Sequence, residues 1–157
     1  VIRNKTAKLL EAAAQLGAVI SNRSDKEEVA MSAYGRHLGT AFQLIDDVFD
    51  YSSSSEELGK NIGDDLAEGK PTLPLLYAMW NGDTHDTEVI RDAIENGGLE
   101  HIDQIKAAIN STGAISYTAK IADAEAELAI DAIKDLPPSE YLDALHALAK
   151  FSVERQY

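Results

Sequence analysis

Apolar residues recur at Leu9, Leu10, Ala13, Leu16 and Ala18, close to the spacing that lines side chains along one stripe of a helix. The spacing predicts a helix over residues 1–19, with Gly17 as its weak point. A second helix is predicted from 24 or 25 to about 51. Ser24 or Asp25 can cap it, because Glu27 and Glu28 follow where carboxylates complement free backbone N–H groups. Ser52 to Ser55 offer nothing apolar to extend a buried face, and Gly59, Gly63 and Gly69 break the chain again, so 52–71 is expected to be a polar loop. Pro71 is expected to open a helix carrying Leu73, Leu75, Leu76, Ala78 and Met79, which stops at Asn81-Gly82. Helices over about 87–96 and 99–111 follow. A longer one over 114–136 has Ile115, Ala119, Ala122, Ala126, Ala129, Ile130 and Ile133 as its stripe, and Pro137-Pro138 ends it before a last helix over 139–154. β-Branched residues nowhere alternate with polar ones over a strand's length. The fold class is all-α.

The 157 residues suit one domain, and a composition 45% hydrophobic and 26% charged is that of a globular protein. The apolar runs are too short to span a bilayer, so no integral membrane segment is expected. The chain holds no cysteine, which removes disulfides and thiolate metal sites. With no signal peptide visible, a cytoplasmic location is expected. Helical patterning is already running at Lys5, close behind Val1, so the chain reads as a trimmed fragment. Its 27 acidic and 14 basic side chains give a net charge of −13, which repels nucleic acid. The same charge repels a diphosphate, unless divalent cations bridge carboxylates to phosphate oxygens and lysines stand nearby.

Attention therefore falls on Phe42-Gln43-Leu44-Ile45-Asp46-Asp47-Val48-Phe49-Asp50. On a helix Asp46 and Asp50 lie one turn apart on one face, Asp47 flanks them, and Gln43 sits one turn earlier. Carboxylates so crowded repel one another, whereas Mg²⁺ turns the crowding into a site that still keeps waters for a diphosphate to replace. The competing reading is a solvated acidic face. Leu38, Phe42, Ile45 and Phe49 make the rest of the helix apolar and set the carboxylates beside a core. A second feature is Gly59-Lys60-Asn61-Ile62-Gly63-Asp64-Asp65, followed by Gly69-Lys70-Pro71-Thr72-Leu73-Pro74. Glycines permit close backbone approach and a loop lysine suits phosphate oxygens, although the spacing is not that of a Walker loop and a polar turn with an incidental lysine is the plainer alternative. Lys5-Thr6 alone would be surface. His37, His85, His101 and His146 have no partner at metal-ligand spacing and are read as surface or helix-face residues. Trp80, Tyr34, Tyr117 and Tyr141 are read as packing residues.

Taken in order, Lys5-Thr6, the FQxxDDxxD run at Phe42 to Asp50, GKxxGxD from Gly59 and GKPTLP from Gly69 resemble the second half of the trans-isoprenyl diphosphate synthase family, and the resemblance covers essentially the whole chain. It implies that residues 1–157 are the C-terminal half of the catalytic domain, the C-terminal helices of an antiparallel helical bundle. It further implies a reaction in which an allylic diphosphate, here farnesyl diphosphate, ionises. Its C1 is then attacked by the double bond of isopentenyl diphosphate and a proton is lost, with trans geometry, up to a long-chain product of eight units for quinone side chains. In that reading Asp46 and, through water, Asp47 and Asp50 hold Mg²⁺, while Lys5 and Lys60 bind the allylic diphosphate. Thr6 and Gln43 line the cavity where positive charge develops, and Lys70 is left between a binding and a structural role. Complete members carry an earlier DDxxD with arginines, and the chain has no second DDxxD. It is therefore expected to be inactive alone, and to self-associate as a homodimer or larger assembly through an apolar face normally covered. A non-catalytic partner subunit of a heteromeric synthase would explain the missing motif, yet such a subunit is expected to lose the metal ligands that are present here. A terpene cyclase also uses DDxxD, but the two glycine–lysine loops speak against it.

Overall fold

The computed structural model describes residues 6–52, 63–97 and 99–154; Lys5 and Lys60 lie outside the described residues. Every regular element among the described residues is helical: α1 (Lys8–Ile20), α2 (Asp25–Phe49), the single turn α3 (Asp64–Ala67), α4 (Leu73–Asn81), α5 (Thr84–Asn96), α6 (Ile102–Thr112) after a 3-10 turn at Leu99–His101, α7 (Ala114–Ala132) and α8 (Glu140–Phe151). No helix among the described residues is long and apolar enough to cross a membrane.

Local chemistry accounts for the helix ends. Ser24 begins α2 with a reciprocal cap, its N–H donating to Glu27 Oε2 at 3.0 Å and its hydroxyl oxygen accepting from the Glu27 N–H at 3.4 Å. α2 stops at Phe49 rather than at 51. Pro71 does not open α4: Thr72 is the extended residue before the helix, and Pro74 occupies its first turn, where a missing N–H costs nothing. α5 starts at Thr84 rather than at 87, because the Asp83 carboxylate accepts the Asp86 N–H at 2.8 Å. α7 ends at Ala132, and the N–H groups of Ile133, Lys134 and Leu136 reach back only three residues, which tightens the chain before Pro137.

The chain divides into two compact units, one of residues 1–45 and 120–156, the other chiefly of residues 46–119. The first has its core at Tyr34, Leu38, Ala129, Ile133 and Ala149, with Met31, Leu142 and Leu145 packed against it, and the Tyr34 hydroxyl donates to the Leu145 carbonyl at 2.8 Å. α1 lies directly on α2 here: a Cβ on Gly35 would stand 2.3 Å from the Leu10 carbonyl oxygen, and one on Gly39 2.6 Å from the Ala7 Cα. The second unit is built around Leu66, Leu75, Ile90, Ile105 and Ile109, and Tyr77 stacks on Tyr117 with ring centroids 4.1 Å apart. Two of the expected packing residues do not pack: Trp80 is 64% and Tyr141 75% exposed. Both sit near helix ends, where fewer neighbouring turns are available to cover a ring. Phe42 likewise is exposed, unlike Leu38, Ile45 and Phe49.

Candidate functional site

The aspartates occupy the last turn of α2 and the residue after it. They are not equivalent: Asp46 is partly exposed, whereas Asp47 is 2% and Asp50 8% exposed. A carboxylate is costly to bury, and the C-terminal end of a helix carries the negative pole of its dipole. The last turn of α2 holds no basic residue. Three acids at such a place are favoured only when positive charge is brought to them. Among the described residues no three His, Asp or Glu side chains come close enough to hold a metal by themselves; carboxylate oxygens are donors that a hard dication takes together with water and phosphate oxygens.

Asp50 also holds the chain that follows. Its carbonyl accepts the Gly63 N–H at 3.2 Å, and its Oδ2 accepts the Asp65 N–H at 3.2 Å, so the third aspartate fastens the returning chain to the end of α2. Lys70 Nζ lies 2.8 Å from Asp65 Oδ1, placing the lysine of the GKPTLP run against an acid of the preceding one. Tyr51 and Thr72 are buried in the same unit. Burial pushes the Tyr51 phenol up and the charges of Asp50, Asp65 and Asp47 push it further, against the opposing pull of the Thr72 hydroxyl. Neither residue was marked by its sequence context, since a tyrosine after DDxxD looks like the helix's apolar flank.

Thr6 and Gln43, 37 residues apart, are brought together: the Thr6 hydroxyl donates to Gln43 Oε1 at 2.7 Å, partly buried. Thr6 stands in a π-helical turn just before α1. Gly35, Gly39 and Gln43 follow one another at intervals of four along α2, hence on one face, and the two glycines let α1 approach closely enough for Thr6 to meet Gln43. The signal was present in the sequence as a pair of glycines one turn apart, but a glycine inside a helix reads first as a weakness. His37 was read as an ordinary helix-face residue. Its Nδ1 lies 2.6 Å from Glu125 Oε2. Lys5 and Lys60, the expected diphosphate lysines, lie outside the described residues.

Residues 1–112 match the polyprenyl synthetase family. The chain is 51% identical to the octaprenyl diphosphate synthase of Haemophilus influenzae, covering 100% of this chain and 48% of that protein. It is 47% identical to that of Escherichia coli, with 99% and 48% covered. The solved structure of a polyprenyl synthase from Caulobacter crescentus, complexed with calcium and isoprenyl diphosphate, superposes with a TM-score of 0.89 at 37% identity, covering 99% of this chain and 48% of that one. The chain thus spans about half the length of the curated relatives it matches. An all-helical fold, the aspartates at the end of α2 and the match over most of the sequence agree, and the chain belongs to the polyprenyl synthetase family.

Proposed function

We propose that this chain is the C-terminal half of the catalytic domain of a cytoplasmic trans-polyprenyl diphosphate synthase that adds isopentenyl units to farnesyl diphosphate, with octaprenyl diphosphate for quinone side chains as product. The observation that carries the reading is the set of acids on the basic-free last turn of α2, in a chain 51% and 47% identical to two octaprenyl diphosphate synthases. The calcium and isoprenyl diphosphate of the Caulobacter relative support a divalent ion and a diphosphate at this family's site, and Mg²⁺ is the ion we assign.

In this reading Asp46 is the direct ligand, Asp47 acts through water, and Asp50 acts through water and through the loop it fastens. A bound Mg²⁺ supplies charge opposite the departing diphosphate as the allylic C1–O bond breaks. Lys5 and Lys60 hold that diphosphate. Gln43 and Thr6 turn oxygen atoms toward developing positive charge, and their mutual hydrogen bond keeps them from reorienting as the charge appears. Catalysis needs stabilisation realised in the transition state, and the opposing aspartate motif is not in this sequence. The 157 residues alone therefore make no polyprenyl product.

Calorimetric titration with Mg²⁺ and pyrophosphate tests the assignment. Each is expected to bind weakly alone and more tightly with the other present, and Asp46→Ala should weaken the joint binding at least about tenfold, the worth of one charge-assisted contact. Unchanged joint binding in Asp46→Ala with Asp50→Ala would overturn it. Incubation with labelled isopentenyl diphosphate, farnesyl diphosphate and Mg²⁺ should yield no long prenyl chain, and efficient synthesis would refute the half-domain reading.

A further inference from the structure

α3 is a single turn, Asp64–Ala67, closed by two backbone bonds: the Gly69 N–H reaches the Leu66 carbonyl and the Lys70 N–H the Asp65 carbonyl, both at 2.9 Å. A helix closes this way when a residue of positive φ follows its last turn. Gly69 supplies that conformation with φ +64°, and a Cβ there would in addition come within 3.1 Å of the Ile94 carbonyl oxygen. The closure folds Lys70 back over Asp65. These two positions ordinarily make an apolar contact; here they carry opposite charges.

The result is a continuous chain of contacts. Lys70 Nζ is 2.8 Å from Asp65 Oδ1, with the two side chains 27% and 17% exposed, and it also meets Glu68. The Asp65 N–H is given to Asp50 Oδ2, and the Gly63 N–H to the Asp50 carbonyl. Asp50 and Asp65 are both acids, so drawing their backbones together crowds two negative charges, and Lys70 is the only basic residue of 63–72. A lysine serving this contact is oriented by its own turn, whereas one serving a ligand needs no acid beside it.

We propose that Lys70 is a positioning residue for the diphosphate site: by holding Asp65 it fixes the N–H that Asp65 gives to Asp50, and so locks the returning chain onto the end of α2 before a ligand arrives. The name of the site rests on the function proposed above; the brace itself does not. Lys70 acts through Asp65 and Asp50, not by touching the diphosphate. It follows that the two lysines of the glycine-rich segments, Lys60 and Lys70, divide binding from architecture.

Amide hydrogen exchange on the ligand-free chain reads the brace directly. Lys70→Met keeps the stem and removes the charge, and it should speed exchange of the Asp65 amide by about tenfold, as expected for losing one charge-assisted contact. The Ile105 amide should stay as slow as in the unaltered chain, showing that the unit is folded. Lys70→Arg should restore most of the protection. Asp65→Asn removes the same pair from the other side, keeps the N–H, and should give the same acceleration, with the Lys70→Met, Asp65→Asn double variant no faster than either alone. Pyrophosphate titration in Mg²⁺ should weaken in Lys70→Met and recover in Lys70→Arg. An unaltered Asp65 amide in both Lys70→Met and Asp65→Asn overturns the brace. Loss of pyrophosphate binding in Lys70→Met with the amide unaltered makes Lys70 a direct contact, and overturns it equally. Absence of pyrophosphate binding in the unaltered chain would sink the proposed function, while the exchange comparison would still decide the role of Lys70.

Discussion

Replacing Gly35 by alanine sets two opposed effects against each other at one atom. The added Cβ would stand 2.3 Å from the Leu10 carbonyl oxygen, 2.8 Å from its carbon and 2.9 Å from the Ala14 Cβ. The two nearest are backbone atoms, so no rotamer change relieves the clash and α1 must withdraw by about 1 Å to restore ordinary contact. Overpacking of this kind costs about 1–3 kcal/mol, and rigid neighbours place it toward the upper end. Against it, alanine improves on glycine inside a helix by about 1 kcal/mol. The net expectation is a loss of about 1–2 kcal/mol. Gly17 provides the control, since it lies in α1 with nothing within 4 Å of its would-be Cβ. Gly17→Ala should gain about 1 kcal/mol, so one chemical change should have opposite signs at two helical sites. Urea denaturation followed by far-ultraviolet circular dichroism measures both. Withdrawal of α1 should also lengthen the 2.7 Å bond between Thr6 and Gln43. If Gly35→Ala proves as stabilising as Gly17→Ala, the close approach of α1 to α2 is refuted.

Two further outcomes follow from the first unit. Burial pushes the Tyr34 phenol up to about 12 from its ordinary 10.0, and its O–H is donated to the Leu145 carbonyl. The unfolded chain ionises first, so this contribution is whole below pH 10 and drains away as pH rises toward 12. Tyr34→Phe should flatten the loss of urea resistance over that window, and identical pH slopes for the two proteins would count against it. Leu9, Leu16 and Ile20 are exposed at spacings of seven and four, which puts them on one stripe of α1, and a stripe of that kind favours self-association. Light scattering should give a mass above the 17.0 kDa of one chain, and Leu16→Lys with Ile20→Lys should reduce it; a monomeric unaltered chain would refute this.

The helices were legible because their stripes repeat and their caps are chemically explicit. Ser24 and Glu27 announce α2 and then bond to each other as announced. The starts of α4 and α5 were not legible for opposite reasons. Pro71 is as acceptable just before a cap as just after one, and Asp83 caps a first turn, Thr84-His85-Asp86, with no apolar residue to mark it. In the candidate site, residue type singled out Asp46, Asp47 and Asp50, but helical angle alone could not say that one is partly exposed while two are buried. Thr6–Gln43 and His37–Glu125 join residues 37 and 88 positions apart, and no local pattern selects such partners.

The distribution of charge gives the aspartate motif its logic. A net charge of −13, a helix C-terminus and a turn without basic residues all disfavour carboxylates at the end of α2. Within 63–72 the chain supplies one cation, Lys70, and it is drawn to Asp65 and Glu68. Its charge therefore offsets acids of the returning segment. In the reading proposed above, the internal lysine fixes the shape of the site while Asp46 takes the dication, so Asp46→Ala should weaken pyrophosphate binding in Mg²⁺ and leave Asp65 amide exchange unaltered, whereas Lys70→Met should change both.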